Sequence, residues 1–165
     1  MTVVSNVAQR PRTPVARFSG LAGFGAASAA AALIGGLGVA GTRAEYASLA
    51  QPSWAPPGWL FGPVWTVLYV LIAVSGWLAW RRAGWTGALT VFAVQLVLNA
   101  VWTPIFFGAG QYGWALVDIT VLWVLIALTI GLFWRISRVA SALLVPYLLW
   151  VSYATALNAA IVAMN

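Results

Sequence analysis

Long apolar stretches dominate the pattern along the chain: residues 18–41, 62–80, 88–107, 113–134 and 139–164 run almost without a charge. Each is near the ~20 residues that an α-helix needs to cross roughly 30 Å of hydrocarbon. Unpaired backbone is costly in lipid, and nothing here shows the alternation, about ten residues at a time, of a membrane barrel, so all five stretches are predicted to be helices. The connections at 81–85, 108–112 and 135–138 are short enough to force neighbouring helices antiparallel. The fold class that follows is an all-α integral membrane protein, a five-transmembrane-helix bundle over residues 18–165 behind a polar tail at 1–17. That tail carries Pro11, Pro14 and three arginines, and the apolar run after it is too long for a signal-peptide core.

Only the connection at 42–61 is longer, and it is neither flexible nor simply polar. Pro52, Pro56 and Pro57 fix φ and deny helix to the residues before them, while Trp54 and Trp59 offer interfacial anchors. These five residues are read as a lid over the mouth of the bundle. The plainer alternative is a loop resting on headgroups, as tryptophan belts often do.

Composition supports lipid as the surrounding solvent: 63% of the residues are hydrophobic and 6% charged, too few charges to build a water-facing surface. A net charge of +6 raises nucleic acid as a partner, but the arginines sit between apolar runs and not on one basic face, which excludes it. Basicity from arginine alone, with abundant alanine and glycine, points to a GC-rich bacterial genome. Seven arginines (10, 12, 17, 81, 82, 135 and 138) fall at the N-terminal side of an odd-numbered bundle and only Arg43 opposite. By the positive-inside rule the N-terminus of this multi-pass protein is cytoplasmic in an inner membrane, with the lid facing out. An outer membrane would void that orientation.

Cysteine and histidine are absent, which removes disulfides, thiolate chemistry and the commonest metal ligands. No catalytic or metal-binding residue is nominated, and no cofactor is required. Polar residues inside lipid are costly and so informative. Gln95, Asn99, Trp102 and Phe106 share one stripe of the third helix, and Trp65, Tyr69, Ile72 and Gly76 one of the second. Trp114 and Asp118 stand one turn apart on the fourth, and Trp150, Ala154, Leu157 and Asn158 share a face of the fifth. Each stripe alone reads as helix packing; converging, they suggest an interior cavity. Asp118, the only carboxylate within a span, is expected to hydrogen-bond a neighbouring helix near a helix start, with ligand or proton handling as the alternative. Gly25, Ala29, Gly35, Gly36 and their neighbours form small-residue surfaces for close helix approach, within a monomer or between monomers.

The block from Tyr46 through the lid to Tyr69 resembles the signature loop and second helix of the tryptophan-rich sensory protein/translocator protein (TspO/MBR) family. The blocks Gln95–Asn99 with Trp102 and Phe106-Phe107-Gly108, Gly113–Asp118, and Pro146–Trp150 with Ala154–Asn158 resemble its later helices, in order. The resemblance implies a five-helix bundle, often a homodimer in membrane lipid, whose pocket beneath the first loop binds porphyrin or haem and, in relatives, sterols and benzodiazepine-type drugs. It carries a ligand-binding role onto Trp65, Asn99, Trp102, Trp114, Trp150, Ala154 and Leu157. The polar stripes add Tyr69 and Gln95, and Trp65 and Trp150 are expected to face one another across the pocket. Flat indole walls suit a flat tetrapyrrole. The chain departs from animal members in having no basic residue after Tyr147 or Tyr153, so the fifth-helix cholesterol pattern is not met. The implied role is a receptor or transporter for porphyrins; light-dependent porphyrin breakdown at pocket tryptophans and a purely structural membrane partner are the alternatives.

Overall fold

The computed structural model describes the backbone of residues 14–39 and 43–165, with side chains over 19–37 and 46–165. Among these residues the helices are α1 Pro14–Val39, α2 Arg43–Ser48, α3 Phe61–Ala83, α4 Gly87–Thr103, α5 Tyr112–Trp134, α6 Arg138–Leu143 and α7 Val145–Met164. Among the described residues five segments are long and apolar enough to cross a membrane, namely Ser19–Leu37, Gly58–Ala83, Gly87–Gly108, Tyr112–Trp134 and Arg138–Met164. Most of the polar tail lies outside the described residues. Its last part is already helical from Pro14, because proline in a first helical turn loses no hydrogen bond.

Helix α1 packs on α3 and α4, α4 on α5, α5 on α6 and α7, and α6 back on α3, which closes the ring. Gly84 and Gly110, both in the left-handed region at φ 72° and 62°, turn two of the short connections. The core is formed by Ile72, Leu122, Ile126, Phe133, Tyr147 and Val151, while Val94, Val97 and Val101 of α4 and Val117, Val121 and Val124 of α5 face outward, where lipid accepts them. Lipid tails give no hydrophobic drive to associate, so contact shape and interhelical hydrogen bonds hold the ring. Ser75 donates to the carbonyl of Ala140 at 2.7 Å, Ser141 to that of Ile130 at 2.8 Å, and the Tyr147 phenol to Gln95 Oε1 at 3.0 Å.

Two spans depart from the unbroken helices that hydropathy predicts, and proline is the cause in each. Pro104 has no N–H and its ring crowds the preceding turn, so α4 ends in a π turn over Pro104–Gly108 that Ala109 closes by donating to the Pro104 carbonyl at 2.9 Å. The wider turn shifts the register, burying Phe106 against Ala115 and Leu157 and swinging Phe107 toward the lid. Pro146 likewise divides the last span into α6 and α7 at Leu144. The long connection contains a short helix, α2, that the pattern does not foretell.

Spacing along α1 decides where the bundle opens. A Cβ at Gly20 would meet the Trp80 ring at 2.2 Å, and one at Gly76 would meet Phe24 and Phe92 at 2.8 Å, so here α1 and α3 are in closest contact. At Gly25 and Gly36 an added Cβ meets nothing within 4 Å. Helix α1 therefore lies tight on α3 at the arginine end, and toward the lid it keeps contact through Gly35, near Thr103 and Tyr69, while leaving space beside Gly36.

Candidate functional site

This spacing leaves a cavity of about 1350 Å³ between α1, α3, α4 and the segment from Tyr46 to Trp59. Its lining on α1 runs from Gly25 to Gly36 and on α3 from Phe61 to Ala73. At 1.5 Å per residue this is a depth of roughly 16–18 Å, more than half of a hydrocarbon core of about 30 Å. The α1 wall consists of small residues, Gly25, Ser28, Ala29, Ala32, Gly35 and Gly36. Of the residues read from the sequence as a packing surface, Gly35 does pack, buried with Thr103 Oγ1 3.4 Å from where its Cβ would lie, whereas Gly25 and Gly36 have open space beside them.

The opposite wall is aromatic and held in place by polar ties. Trp65 lies against Tyr69, centroids 5.4 Å apart, and edge-on to Tyr147 at 6.1 Å. The Tyr69 phenol donates to Asn99 Oδ1 at 2.7 Å, joining α3 to α4 across the cavity wall. Trp102 stacks on Phe106 at 5.0 Å and 27°, and its Nε1–H donates to Asn158 Oδ1 at 3.3 Å. Asn158, 1% exposed, uses its Nδ2 to donate to the carbonyl of Tyr112 at 3.0 Å. An indole held by stacking and by its N–H keeps one pose, and so presents a fixed wall.

At the mouth, Pro56, Pro57 and Trp59 line the cavity, and Pro52 and Trp54 do not. Trp54 instead lies edge-on to Tyr153 of α7 at 5.7 Å, and the Tyr153 phenol donates to the Trp54 carbonyl at 2.9 Å. The turn between these groups closes with Ala55 N–H donating to the Pro52 carbonyl at 2.9 Å, and Leu60 N–H donates to that of Pro57 at 3.0 Å. The five lid residues thus divide into a roof and an anchor. Tyr46 completes the roof, edge-on to Phe61 at 6.2 Å and tilted against Phe107 at 5.7 Å, with its backbone carbonyl held by Gln51 Nε2.

Of the residues nominated from the sequence, Trp65, Tyr69, Asn99 and Trp102 converge on this cavity. Gln95, Trp114, Trp150, Ala154 and Leu157 lie elsewhere. Gln95, 1% exposed, is a core residue below the cavity, tying α4 to α7 through Tyr147. Trp114 is 68% exposed on the outer face of α5, because Ala115, Ile119, Leu122 and Ile126 take the inward row and leave Trp114 beside it in an interfacial position. Trp150 packs on Phe61 at 5.8 Å and on Tyr153 at 5.6 Å, so it does not face Trp65 across the space. Ala154 is buried in the core, and Leu157 against Phe106 and Ala115. Asp118 is half-buried on α5, and its Oδ2 is enclosed without a hydrogen-bond partner.

Several lining residues were not nominated, among them Thr66, Val70, Thr103 and Phe107. Ser28 and the α1 glycines had a legible signal in their spacing, small residues at 25, 28, 32 and 35 on one helix face. Phe107 had none, since its direction depends on the π turn. Two hydroxyls in the lining, Ser28 Oγ and Tyr46 Oη, are buried without a hydrogen-bond partner. Burial, and secondly the neighbouring Tyr153, raise the Tyr46 pKa above the usual 10.0, so it remains a donor. The lining contains no charged side chain among the described residues. The site is therefore apolar and aromatic, with a few neutral hydrogen-bonding groups, and is suited to holding an uncharged flat body.

Known proteins carry the same chain pattern. A model of the TspO/MBR family matches residues 24–164. The chain is 45% identical over 126 residues to Tryptophan-rich protein TspO of Chlorobaculum tepidum, covering 73% of this chain and 78% of that protein. It is 42% identical over 118 residues to the human Translocator protein, covering 68% and 70%, and 37% identical over 126 residues to Protein CrtK of Rhodobacter capsulatus, covering 74% and 79%. A match this long, to relatives this similar over more than two thirds of the sequence, means that the chain is a multi-pass membrane protein belonging to the TspO/MBR family.

Proposed function

We propose that the protein is a membrane receptor or transporter for porphyrins, held in the cavity between α1, α3 and α4. The observation that carries this reading is the pairing of a thin wall of glycine, alanine and serine with a wall of Trp65, Tyr69 and Trp102, which leaves a deep slot faced by aromatic rings. Its volume of about 1350 Å³ exceeds the ~300–1,000 Å³ usual for small-molecule sites, as a macrocycle requires. Without a cation in the described lining, a buried carboxylate would go unpaired at high cost. A porphyrin therefore inserts by its apolar edge and leaves its acidic substituents at the mouth, where the Tyr46 phenol is an unpartnered donor. In an inner membrane the positive-inside rule supports reading the arginine-rich far end as the cytoplasmic one.

The test is a titration of detergent-solubilised protein with protoporphyrin IX, followed by its Soret absorbance and by tryptophan quenching, with detergent-only controls. Saturable one-to-one binding that a bulky residue at Gly36 abolishes is expected. Binding that such a residue leaves unchanged would place the ligand outside this cavity.

A further inference from the structure

The segment over the mouth is tied to α7 at two points. Asn165, the residue after α7, accepts at Oδ1 from the Ala50 N–H at 3.0 Å, and its Nδ2 donates to the Ala50 carbonyl at 3.0 Å. The same Nδ2 donates to the carbonyl of Ile161 at 2.9 Å, closing the last turn of the helix. One carboxamide thus pairs with both the N–H and the C=O of one residue, as neighbouring strands do, and spends its remaining hydrogen on α7. The second tie is the Tyr153 phenol on the Trp54 carbonyl at 2.9 Å. Tyr153 and Asn165 are twelve residues apart, about 18 Å along a helix, so residues 50–54 are held along a flank of α7.

Ala50 sits where the chain has left α2 and before Pro52 and the paired prolines that set the direction of the roof. Proline restricts the backbone beyond it, so an orientation imposed at Ala50 is passed on with little slack. Asn165 does not line the cavity, and its reach into the site is through the peptide it holds.

We propose that Asn165 is a positioning residue for the lid, clasping the Ala50 peptide so that Pro56, Pro57 and Trp59 stay over the cavity and slow the escape of a bound ligand. The kinetic part rests on the reading of the cavity as a ligand site; the positional part does not.

The experiment has two arms on the full chain in lipid nanodiscs. Hydrogen exchange without ligand is read on peptides covering 49–60 and, separately, the end of α7. Protoporphyrin IX dissociation and association are read by stopped flow. Asn165→Ala is expected to speed exchange at Ala50 about tenfold, the size of effect that losing two ordinary hydrogen bonds gives. Protoporphyrin should leave roughly five- to tenfold faster, with association changed less than about twofold, since the clasp is absent from the open state. Asn165→Asp keeps the acceptor for the Ala50 N–H but sets a carboxylate oxygen against the Ala50 and Ile161 carbonyls, and should speed exchange and dissociation at least as much as Asn165→Ala. A role limited to closing α7 would fray that helix without this effect on dissociation. Ala50→Pro removes the N–H from the other side of the pair and, should Asn165→Ala fail to fold, is read at the remaining amides of residues 49–60 and in dissociation. Unchanged exchange over 49–60, or faster exchange with unchanged dissociation, overturns the proposal. Wild-type protein that binds no protoporphyrin removes the reading of the cavity, and the exchange arm then decides the clasp alone.

Discussion

Trp65 and Trp150 occupy comparable places in the sequence pattern and different places in the fold, and exchanging each for phenylalanine separates the two. Trp65 lines the cavity and touches Tyr69 and Tyr147, whereas Trp150 packs on Phe61 and Tyr153 outside it. Phenylalanine at position 65 keeps a π-face but gives a bound macrocycle less of it. An aromatic pair contributes about 0.5–1.5 kcal/mol beyond its buried area, and tenfold in affinity is about 1.4 kcal/mol. Losing part of one pair should thus weaken protoporphyrin binding roughly two- to fivefold for Trp65→Phe. Trp150→Phe should leave affinity unchanged. Its cost in stability should also be small, because the Trp150 Nε1–H is buried without a partner and removing it offsets the reduced ring contact. The assay is a Soret titration, which removal of a tryptophan does not itself perturb, beside thermal denaturation of each variant. Equal weakening by both substitutions, or none by Trp65→Phe, would refute the placement of the ligand against the α3 wall.

Gly76→Val should destabilise the protein by about 1–3 kcal/mol, since the new side chain runs into the packed rings of Phe24 and Phe92, while Gly36→Leu should keep the melting temperature and abolish porphyrin binding by filling open space. Tyr46→Phe breaks no hydrogen bond of the phenol, so stability should hold; affinity for protoporphyrin IX should fall several-fold and affinity for its dimethyl ester should not, as titrations of both would show. Because the Tyr46 pKa is raised, its proton is held more tightly in the fold than in the unfolded chain. Its contribution should be constant below about pH 10 and lost only above it. Asn158→Ala leaves Trp102 Nε1 without its partner and removes the side-chain bond to the Tyr112 carbonyl, and should cost roughly 1–2 kcal/mol in thermal unfolding, between the ~0.6 kcal/mol average for membrane hydrogen bonds and the cost of an orphaned buried group.

The sequence by itself determined the number of spans, because lipid accepts only long apolar helices and the charges fall between them. It also marked Trp65, Tyr69, Asn99 and Trp102 as belonging together, since helical spacing places side chains on one face whatever the helix packs against. What spacing cannot give is which face meets which neighbour. Trp114 and Trp150 share the composition of the wall residues, yet α5 turns Ala115 inward in place of Trp114, and α7 turns Trp150 toward Phe61. The fourth wall was hidden for another reason. Small residues on α1 fit close packing and open space equally well, and only the rings at Gly20 and Gly76, against the emptiness at Gly25 and Gly36, decide between them. Prolines announced that residues 52–57 hold a shape; the partners that fix that shape, Tyr153 and Asn165, lie 99 and 115 residues away from theirs along the chain and meet them only in the folded bundle.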